Sequence, residues 1–405
     1  YHNLYGNHWS RIIAALYSEE YPSMRLMTLM RGGTTGLQRY SVFPWSTDVS
    51  RSWGGLRPQV TIMLGAGQSG LGYMSHDVGG FAVDPGNPVD PELYVRWLQL
   101  GLFSPVLRTH SQHHAEPYLY PDHQDIILPL VKARYSWLPY NYTLAYENAA
   151  KGLPLVRPVG TYSPDPAAYD HITDQYLWGR DVMVAPVLEQ GATSRPVTFP
   201  EGRWIDYDAP LRSYSGPADS VMVEAPLATI PLFVRAGAII PSAPYAMRNV
   251  ADYDPSRYTL DYYPSSEVAD SRCEIYEDDR SDPRSLPEGR YALLTVSASN
   301  TPEAYTFTVS ATPGAPNETP NTAKEAPVTS RNRNVGWSEP KASGSPYPGC
   351  PAKRRLTFVL HNVDAPASVS LSGGRALKGD YTPSTRTLSV ALPSSTLPLT
   401  LIIRK

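Results

Sequence analysis

Four short apolar runs in the first 110 residues each end on polar, chemically capable side chains. The runs are RLMTLM (25–30), SVFPW (41–45), GLGYMSH (70–76) and FSPVL (103–107). They are followed by Arg31, Asp48, Asp77, and the pair Arg108 and His110. Buried strands that finish in charged groups predict a site at one edge of a sheet, and in a β/α barrel that edge is the C-terminal face.

Segments with helical spacing lie between and after these runs. Ile12, Ile13, Leu16 and Tyr17 predict a first helix that ends before Pro22. Residues 50–70 read as another helix. Asp90-Pro91 gives the clearest helix start, because Asp is a good N-cap and Pro suits the first turn. Residues 125–152 read as two helical pieces broken around Pro139. This alternation of strand and helix predicts a parallel sheet.

The pattern changes after residue 153. Short β-rich runs, separated by Pro, Gly and Asp, predict an antiparallel sandwich over 154–243 and a second one over 244–405. Residues 313–351 contain much Pro, Asn and Ser and few large apolar residues, which predicts a long exposed loop or disordered insertion. The predicted domains are therefore 1–153, 154–243 and 244–405.

Composition narrows the class of protein. The 405 residues carry 18% charged and 41% hydrophobic residues, as in a globular protein of two or three domains. A net charge of -3 gives no sign of nucleic-acid binding. No apolar run reaches the roughly 18 residues that would indicate a membrane helix. Cys273 and Cys350 leave one disulfide and two free thiols equally open.

The polar residues at the run ends suggest carbohydrate chemistry, and each has a simpler alternative. Two carboxylates, an arginine, a histidine and indole rings together can grip and cleave a sugar. Taken alone, Asp48 could cap a helix, Asp77 could belong to the turn before Gly79-Gly80, and Arg31 could pair with a structural acid. His110 could be a core histidine, and His113-His114 lack the neighbours that would complete a zinc site.

Several motifs in order resemble glycoside hydrolase family 31, the α-glucosidase and α-xylosidase family. They are HNLYG (2–6), RGGTTGLQRY (31–40), WSTD (45–48), SHDVGGF (75–81), ELYVRWLQLGLFSPVLRTH (92–110) and RYSWLPYNYTLAYE (134–147). Two later segments resemble the family's proximal C-terminal β-domain: QYLWGRDVMVAPVLEQGATSRPVTFPEGRWIDY and PLFVRAGAIIP. The start of the family's distal C-terminal domain is resembled by CEIYEDDRS. The resemblance implies the second half of a (β/α)8 barrel followed by two antiparallel β-sandwich domains.

The resemblance also implies roles for individual residues. Asp48 falls where the family has its general acid/base, which protonates the leaving oxygen and then activates water. The sugar-binding positions fall on Arg31, Trp45, Asp77, Phe81 and His110. No metal or organic cofactor is implied. Thr47 departs from the family, which often has Gly before the acid/base.

The family's nucleophilic Asp lies in a motif before HNLYG, and this sequence opens on Tyr1. We therefore expect the sequence to start within a longer protein and to lack the nucleophile. A retaining mechanism needs two carboxyl groups about 5–5.5 Å apart. On its own, this chain would then be an inactive portion of the enzyme.

The implied function is that of a retaining exo-acting α-glucosidase acting on terminal α-linked glucose of oligosaccharides. Within the family, α-xylosidase, α-galactosidase and transglycosylase activities remain open. Outside it, the alternatives are a non-catalytic carbohydrate-binding or structural fragment, and a β-rich adhesion or scaffolding protein. The expected partner is an α-glycoside, with no nucleic acid and no membrane.

Overall fold

The structure, a computed structural model, describes residues 1–83, 89–244, 247–316 and 345–405. The predicted Pro-rich insertion falls largely on residues 317–344, which lie outside the described residues. Cys273 and Cys350 are free thiols. Within the described ranges, no helix has the length and hydropathy needed to cross a membrane.

The first part contains four short parallel strands that are neighbours in chain order. They are β1 (Thr28–Met30), β2 (Val42–Pro44), β3 (His76–Val78) and β4 (Leu107–Thr109). β1 pairs with β2 and β3 pairs with β4, both in parallel. A parallel bridge between Trp45 and Ser75 joins the two pairs. The carboxyl ends of all four strands therefore meet at one edge, as the run ends predicted.

In the described part of this region, six α-helices accompany the strands: α1 (Tyr5–Glu20), α2 (Trp53–Leu56), α3 (Gln59–Gln68), α4 (Pro91–Leu102), α5 (Gln124–Ser136) and α6 (Leu138–Lys151). The predicted cap is confirmed, because the Asp90 carboxylate accepts a hydrogen bond from the Leu93 amide at 3.1 Å. The break between α5 and α6 is confirmed as well, at Trp137. The segment 50–70 forms two helices rather than one, because Pro58 cannot donate the hydrogen bond that a continuous helix needs.

Helix α1 turns an apolar stripe to solvent. Tyr5, Trp9, Ile12 and Leu16 follow helical spacing, and each is more than half exposed. Ser10 is the one residue of the helix that is fully buried. Contiguous exposed apolar side chains mark surfaces that contact another segment or molecule.

The middle of the chain forms one six-stranded antiparallel sheet of order β5-β6-β7-β10-β8-β9. Its strands are β5 (Val156–Arg157), β6 (Tyr176–Trp178), β7 (Val182–Val184), β8 (Ser194–Asp206), β9 (Ser213–Glu224) and β10 (Leu232–Arg235). A sandwich was predicted here, and the structure instead covers one sheet face with helices. Trp178 packs in the same core as Trp97 and Trp137, and its indole donates to Asn141 of α6 at 2.9 Å.

The last part is built from two five-stranded sheets that share one buried core. The first has order β11-β12-β16-β19-β18, and the second has order β13-β14-β15-β20-β17. The strands are β11 (Ile239–Ser242), β12 (Arg257–Tyr262), β13 (Asp270–Glu277), β14 (Ala292–Asn300), β15 (Ala304–Pro313), β16 (Arg355–Leu360), β17 (Ser368–Leu371), β18 (Asp380–Thr382), β19 (Thr387–Ala391) and β20 (Leu399–Arg404).

Two features of this last part differ from the prediction. The sheets are antiparallel except that β12 and β16 run in parallel, with Arg257 opposite Arg355. β11 also pairs with β12, so this part begins at Ile239, before the predicted boundary at residue 244. The Pro-rich segment at the predicted boundary does not separate two domains. It belongs to the first sheet of this part and to the connection from β11 to β12, since Pro241 lies in β11 opposite Leu260.

A buried ion pair lies in the same part of the chain. The Arg354 guanidinium donates to both carboxylate oxygens of Glu277, at 2.7 and 2.6 Å, and both side chains are 2% exposed. The hydroxyls of Tyr258 and Tyr347 donate to the same carboxylate at 2.7 and 3.0 Å. The carboxylate therefore has four donors, which compensates for the loss of its hydration.

Candidate active site

Asp48 and Arg31 face each other across the loops that follow β2 and β1. An Nη2 atom of Arg31 lies 3.1 Å from Oδ1 of Asp48, and both side chains are about half exposed. Exposed ion pairs contribute only about 0–1 kcal/mol. The Asp48 carboxyl is thus oriented by Arg31 but remains free to turn toward a ligand.

Two guanidinium groups lie near the Trp45 indole. The Cζ atoms of Arg31 and Arg108 are 5.9 and 5.4 Å from the ring centroid. Both contacts are within the range of cation–π attraction. The ring therefore links the ends of β1, β2 and β4 into one wall.

Asp77 is buried in the middle of this edge and forms an ion pair with Arg108. Asp77 stands directly opposite Arg108 in the β3–β4 register. Burial raises the pKa of the Asp77 carboxyl, with a smaller contribution from the Asp48 charge, although Arg108 and His110 act in the opposite direction. A buried carboxylate with one cationic partner suits the binding of ligand hydroxyls.

Phe81 and His110 form the far side of the candidate site. Their rings are stacked, with centroids 5.1 Å apart and an interplanar angle of 27°. Phe81 is half-buried and His110 is exposed. The pair presents an apolar surface beside a group that can donate or accept a hydrogen bond.

Backbone contacts hold three of these loops together. The Val49 carbonyl accepts hydrogen bonds from the amides of Phe81 and Ala82, at 2.9 and 3.0 Å. The buried Arg51 guanidinium donates to the Ser111 hydroxyl and to the His113 carbonyl. The loop that carries Asp48 is therefore fixed to the loops after β3 and β4.

Thr47, the residue before Asp48, has a backbone φ of +61°. This is the left-handed region, where a β-branched residue is a genuine outlier. The Ser46 amide donates to the Ser75 carbonyl at 3.0 Å, and the Val49 amide donates to the Thr47 carbonyl at 2.7 Å. These bonds hold the backbone in a conformation that glycine would adopt without strain, at the position where the sequence departs from its resemblance.

Thr47→Gly is therefore expected to stabilise the protein. A left-handed conformation costs a non-glycine residue roughly 1–2 kcal/mol. The greater entropy of unfolded glycine offsets about 0.5–1 kcal/mol of that gain. The free energy of unfolding in urea should rise by about 0.5–1 kcal/mol. The control, Thr61→Gly in α3, should lower it; a loss of stability in both variants would contradict strain at Thr47.

Three buried polar atoms at this edge have no hydrogen-bond partner among the described residues. They are Nε1 of Trp45, Oγ of Ser46 and Oδ2 of Asp77. An unsatisfied buried group costs about 1–3 kcal/mol. A cluster of such groups beside an accessible carboxyl is typical of a site in which a polar ligand completes the hydrogen bonding.

His76 lies beneath the site in a fully determined hydrogen-bond chain. The Trp97 indole donates to Nδ1 of His76 at 3.0 Å, and Nε2 of His76 lies 2.9 Å from the Ser104 hydroxyl. Ser104 in turn donates to the Leu100 carbonyl at 2.9 Å, so its oxygen must accept from His76. Burial lowers the pKa of His76 to about 3.

This neutral histidine predicts acid sensitivity. Between pH 6.5 and 3 the unfolded chain binds a proton at His76 that the folded chain does not bind, so stability falls as pH falls through this window. One such group contributes a slope of about 1.4 kcal/mol per pH unit. In urea unfolding between pH 4 and 6, His76→Gln should be less stable than the parent but should lack this part of the slope. Equal slopes in both proteins would contradict the assignment.

The structure brings all six predicted site residues to the ends of β1–β4. Arg31 lies with Asp48 and Trp45, Asp77 lies beside Arg108, and Phe81 lies on His110. The sequence analysis named Arg108 at a strand end but assigned it no role in sugar binding, and nothing in the sequence marked Arg51. Among the described residues, no group of three or more His, Cys, Asp or Glu side chains could hold a metal ion.

The sequence and the fold were compared with known proteins. Residues 1–144 match the family model of the glycosyl hydrolases family 31 TIM-barrel domain, and residues 152–240 match that of the glycosyl hydrolase family 31 C-terminal domain. Alpha-glucosidase 2 of Bacillus thermoamyloliquefaciens is 31% identical over 59% of this chain and 30% of its own length. The alpha-xylosidase of Saccharolobus solfataricus is 34% identical over 63% of this chain and 35% of its own length.

A similar solved structure is a family 31 dextranase of Flavobacterium johnsoniae complexed with isomaltotriose. It aligns with a TM-score of 0.84 and 26% identity over 100% of this chain and 49% of its own. A family 31 alpha-xylosidase of Xanthomonas citri aligns with a TM-score of 0.69 and 26% identity over 87% of this chain and 35% of its own. The chain thus spans half or less of the length of these relatives. The two matched domains, in the order in which they occur here, show that the chain belongs to glycosyl hydrolase family 31.

Proposed function

We propose that the protein is a retaining exo-acting α-glycosidase that removes terminal α-linked glucose from oligosaccharides. The observation that carries this proposal is the half-exposed Asp48 carboxyl, 3.1 Å from Arg31, on the same strand edge as the buried Asp77. In the proposed reaction a nucleophilic carboxylate attacks the anomeric carbon while Asp48 gives its proton to the departing oxygen. Asp48 then takes a proton from water, whose oxygen displaces the enzyme carboxylate from the sugar.

We assign the nucleophilic carboxylate to residues outside this sequence. The chain would form the second half of a (β/α)8 barrel, followed by the two C-terminal β-domains. The apolar stripe of α1 supports this assignment, because Trp9, Ile12 and Leu16 would be covered by a further part of the barrel. The pairing of β1 supports it as well. Among the described strands β1 pairs only with β2, so its other edge is left for a further strand of the barrel.

The remaining site residues would recognise the terminal sugar. Asp77 and His110 would bind hydroxyl groups, and Arg31 would hold the catalytic carboxyls and a hydroxyl. Trp45 and Phe81 would form the walls of the pocket. The unpartnered Oδ2 of Asp77 and Nε1 of Trp45 would gain hydrogen-bond partners from the ligand.

The test is hydrolysis of p-nitrophenyl α-glucoside, α-xyloside and α-galactoside by the 405-residue chain and by the product of its complete reading frame. Turnover of the glucoside by the longer protein alone supports the proposal. Turnover by the 405-residue chain would place the nucleophile within it and overturn our assignment. No turnover by either protein would favour a non-catalytic carbohydrate-binding role.

α-Xylosidase activity is the second candidate. The relative from Saccharolobus solfataricus and the solved structure from Xanthomonas citri both carry that name. A higher kcat/KM for the xyloside than for the glucoside would select it.

A further inference from the structure

A cavity of about 610 Å³ lies far along the chain from the candidate active site. One side is formed by Arg180 and Asp181 in the β6–β7 turn, by Arg235 at the end of β10 and by residues 236–238 in the turn that follows. The other side is the outer face of β13, β14 and β15. None of the residues that line it belongs to the loops after β1–β4. Its volume lies in the range of about 300–1,000 Å³ found for small-molecule sites.

The sheet side of the cavity presents two rows of short polar side chains. The strand register aligns Asp270, Ser299 and Thr306 in one row. It aligns Arg272, Ser297 and Thr308 in the next row, two residues along each strand. Strands lie about 4.8 Å apart, and every second residue is about 6.6 Å further along. The rows therefore form a regular grid of hydrogen-bonding groups.

These groups are available to a ligand. The opposite face of the same strands carries Val296 and Phe307, which are fully buried in the core. The side chains of Asp270 and Thr308 are exposed, and those of Ser297, Ser299 and Thr306 are half-buried. Serine and threonine hydroxyls both donate and accept, so the grid can match a ligand that also does both.

The charges around the cavity are nearly balanced. Nε atoms of Arg180 and Arg235 lie 4.0 and 3.9 Å from the same Asp181 oxygen, and Arg272 donates to Glu274 at 2.9 Å. Lys151 also lies 3.9 Å from Glu274, and Asp270 adds a further negative charge, so four cationic groups face three carboxylates. The small net charge and the pairing of each guanidinium favour a neutral ligand rich in hydroxyls over a phosphate or another anion.

Arg235 is also held in a fixed orientation. Its guanidinium lies over the buried Trp204 ring at 4.5 Å. Its contact with Asp181 is longer than a hydrogen bond, its Nη2 donates to the Arg180 carbonyl at 3.5 Å, and its Nε is buried. The Nη1 group and the second Nη2 hydrogen are therefore left to donate to ligand hydroxyl oxygens from a fixed plane.

We propose that this cavity is a second, non-catalytic site that binds a short neutral oligosaccharide. The inference rests on the proposed function only for the choice of α-linked glucose as the sugar. The site would hold a distal part of a longer glucan while its end is processed elsewhere on the molecule.

The test uses Ser297→Tyr, which places a large side chain in the centre of the grid. Ser389→Tyr on β19, which does not line the cavity, is the matched control. Both are made in the product of the complete reading frame with Asp48→Asn, so that the saccharide is not hydrolysed. Calorimetric titration with maltoheptaose and with an isomaltooligosaccharide of equal length measures the number of sites and each Kd.

We expect two saccharide sites in the parent and in Ser389→Tyr. Ser297→Tyr should keep one site, with binding at the other weakened at least tenfold. With Asp48 restored, Ser297→Tyr should hydrolyse p-nitrophenyl α-glucoside as the parent does. An unchanged titration of Ser297→Tyr would overturn the proposal, and so would binding of inorganic phosphate that excludes the saccharide.

A second variant tests the cavity if Ser297→Tyr does not fold, and one result separates the binding proposal from the catalytic proposal. If Ser297→Tyr fails to fold, the double variant Asp270→Ala with Arg272→Ala trims exposed side chains at the rim and should weaken the same site. If no aryl glycoside is turned over but the second saccharide site is lost in Ser297→Tyr, the catalytic proposal fails and the binding proposal stands.

Discussion

Replacing Asp48 by Asn should lower kcat for an unactivated α-glucoside such as maltose by about 10²–10⁴-fold. The amide has nearly the shape of the carboxyl and keeps a polar oxygen near Arg31. It cannot give a proton to the departing oxygen or take one from water. The measurement is the steady-state rate of hydrolysis by the product of the complete reading frame, monitored as glucose release.

Substrates that differ in the acidity of their leaving group distinguish proton donation by Asp48 from its other possible roles. Aryl glucosides with strongly acidic phenols need little protonation, so their glycosylation step should lose the least. Asp122→Asn, at an exposed position between α4 and α5, is the control and should leave both rates unchanged. An equal loss for all leaving groups would give Asp48 a different role in the site.

Breaking the buried pair of Arg354 and Glu277 should produce the largest loss of stability. Arg354→Ala leaves the Glu277 carboxylate with the two tyrosine hydroxyls but without its counter-ion, at 2% exposure. Removal of one partner of a buried pair costs about 3–5 kcal/mol. Urea unfolding followed by tryptophan fluorescence should show this fall in the free energy of unfolding.

An exposed ion pair in the same part of the chain provides the comparison. Nζ of Lys378 lies 3.0 Å from Asp380, and both side chains are more than three quarters exposed. Lys378→Ala should therefore change stability by no more than about 1 kcal/mol. If Arg354→Ala costs equally little, water reaches the Glu277 carboxylate in solution and the buried arrangement is wrong.

Local sequence signals predicted the parts of the fold that depend on local physics. The Asp90 cap, the break near Pro139 and the polar ends of the first strands are all set by a few neighbouring residues. The strands themselves are shorter than the apolar runs that predicted them. FSPVLRTH, for example, contains only the three residues of β4, because the rest of the run enters and leaves the core without pairing.

What covers a buried sheet face could not be predicted in this way. All three residues of β7 (Val182–Val184) are buried, so both faces of the strand are covered. A continuous apolar run in the sequence indicates such a strand. The run does not show whether a second sheet or a helix lies opposite. Over 154–243, α6 covers part of the face that carries Val182 and Val184, and the opposite face carries Met183 in a second core shared with other strands of the same sheet.

The same limit applies to the candidate site. The motifs identified Asp48, Asp77 and Arg31 as polar groups at strand ends. The partnership of Asp77 with Arg108 depends on the register between β3 and β4, which brings together residues 31 positions apart. The support that Arg51 gives to the Asp48 loop depends on contacts 60 and 62 positions away.

The central position of β20 has a consequence for the order in which the protein can fold during synthesis. β20 lies between β15 and β17; its residues 399–404 pair with β15, and its residues 401–404 pair with β17. While the ribosome is still adding the preceding residues, β13, β14 and β15 can form a hairpin array, but their sheet ends at an unpaired edge next to a half-covered core. The last part of the fold must therefore wait for these six residues, and a nascent chain that stalls before them would expose that edge to aggregation and to chaperones.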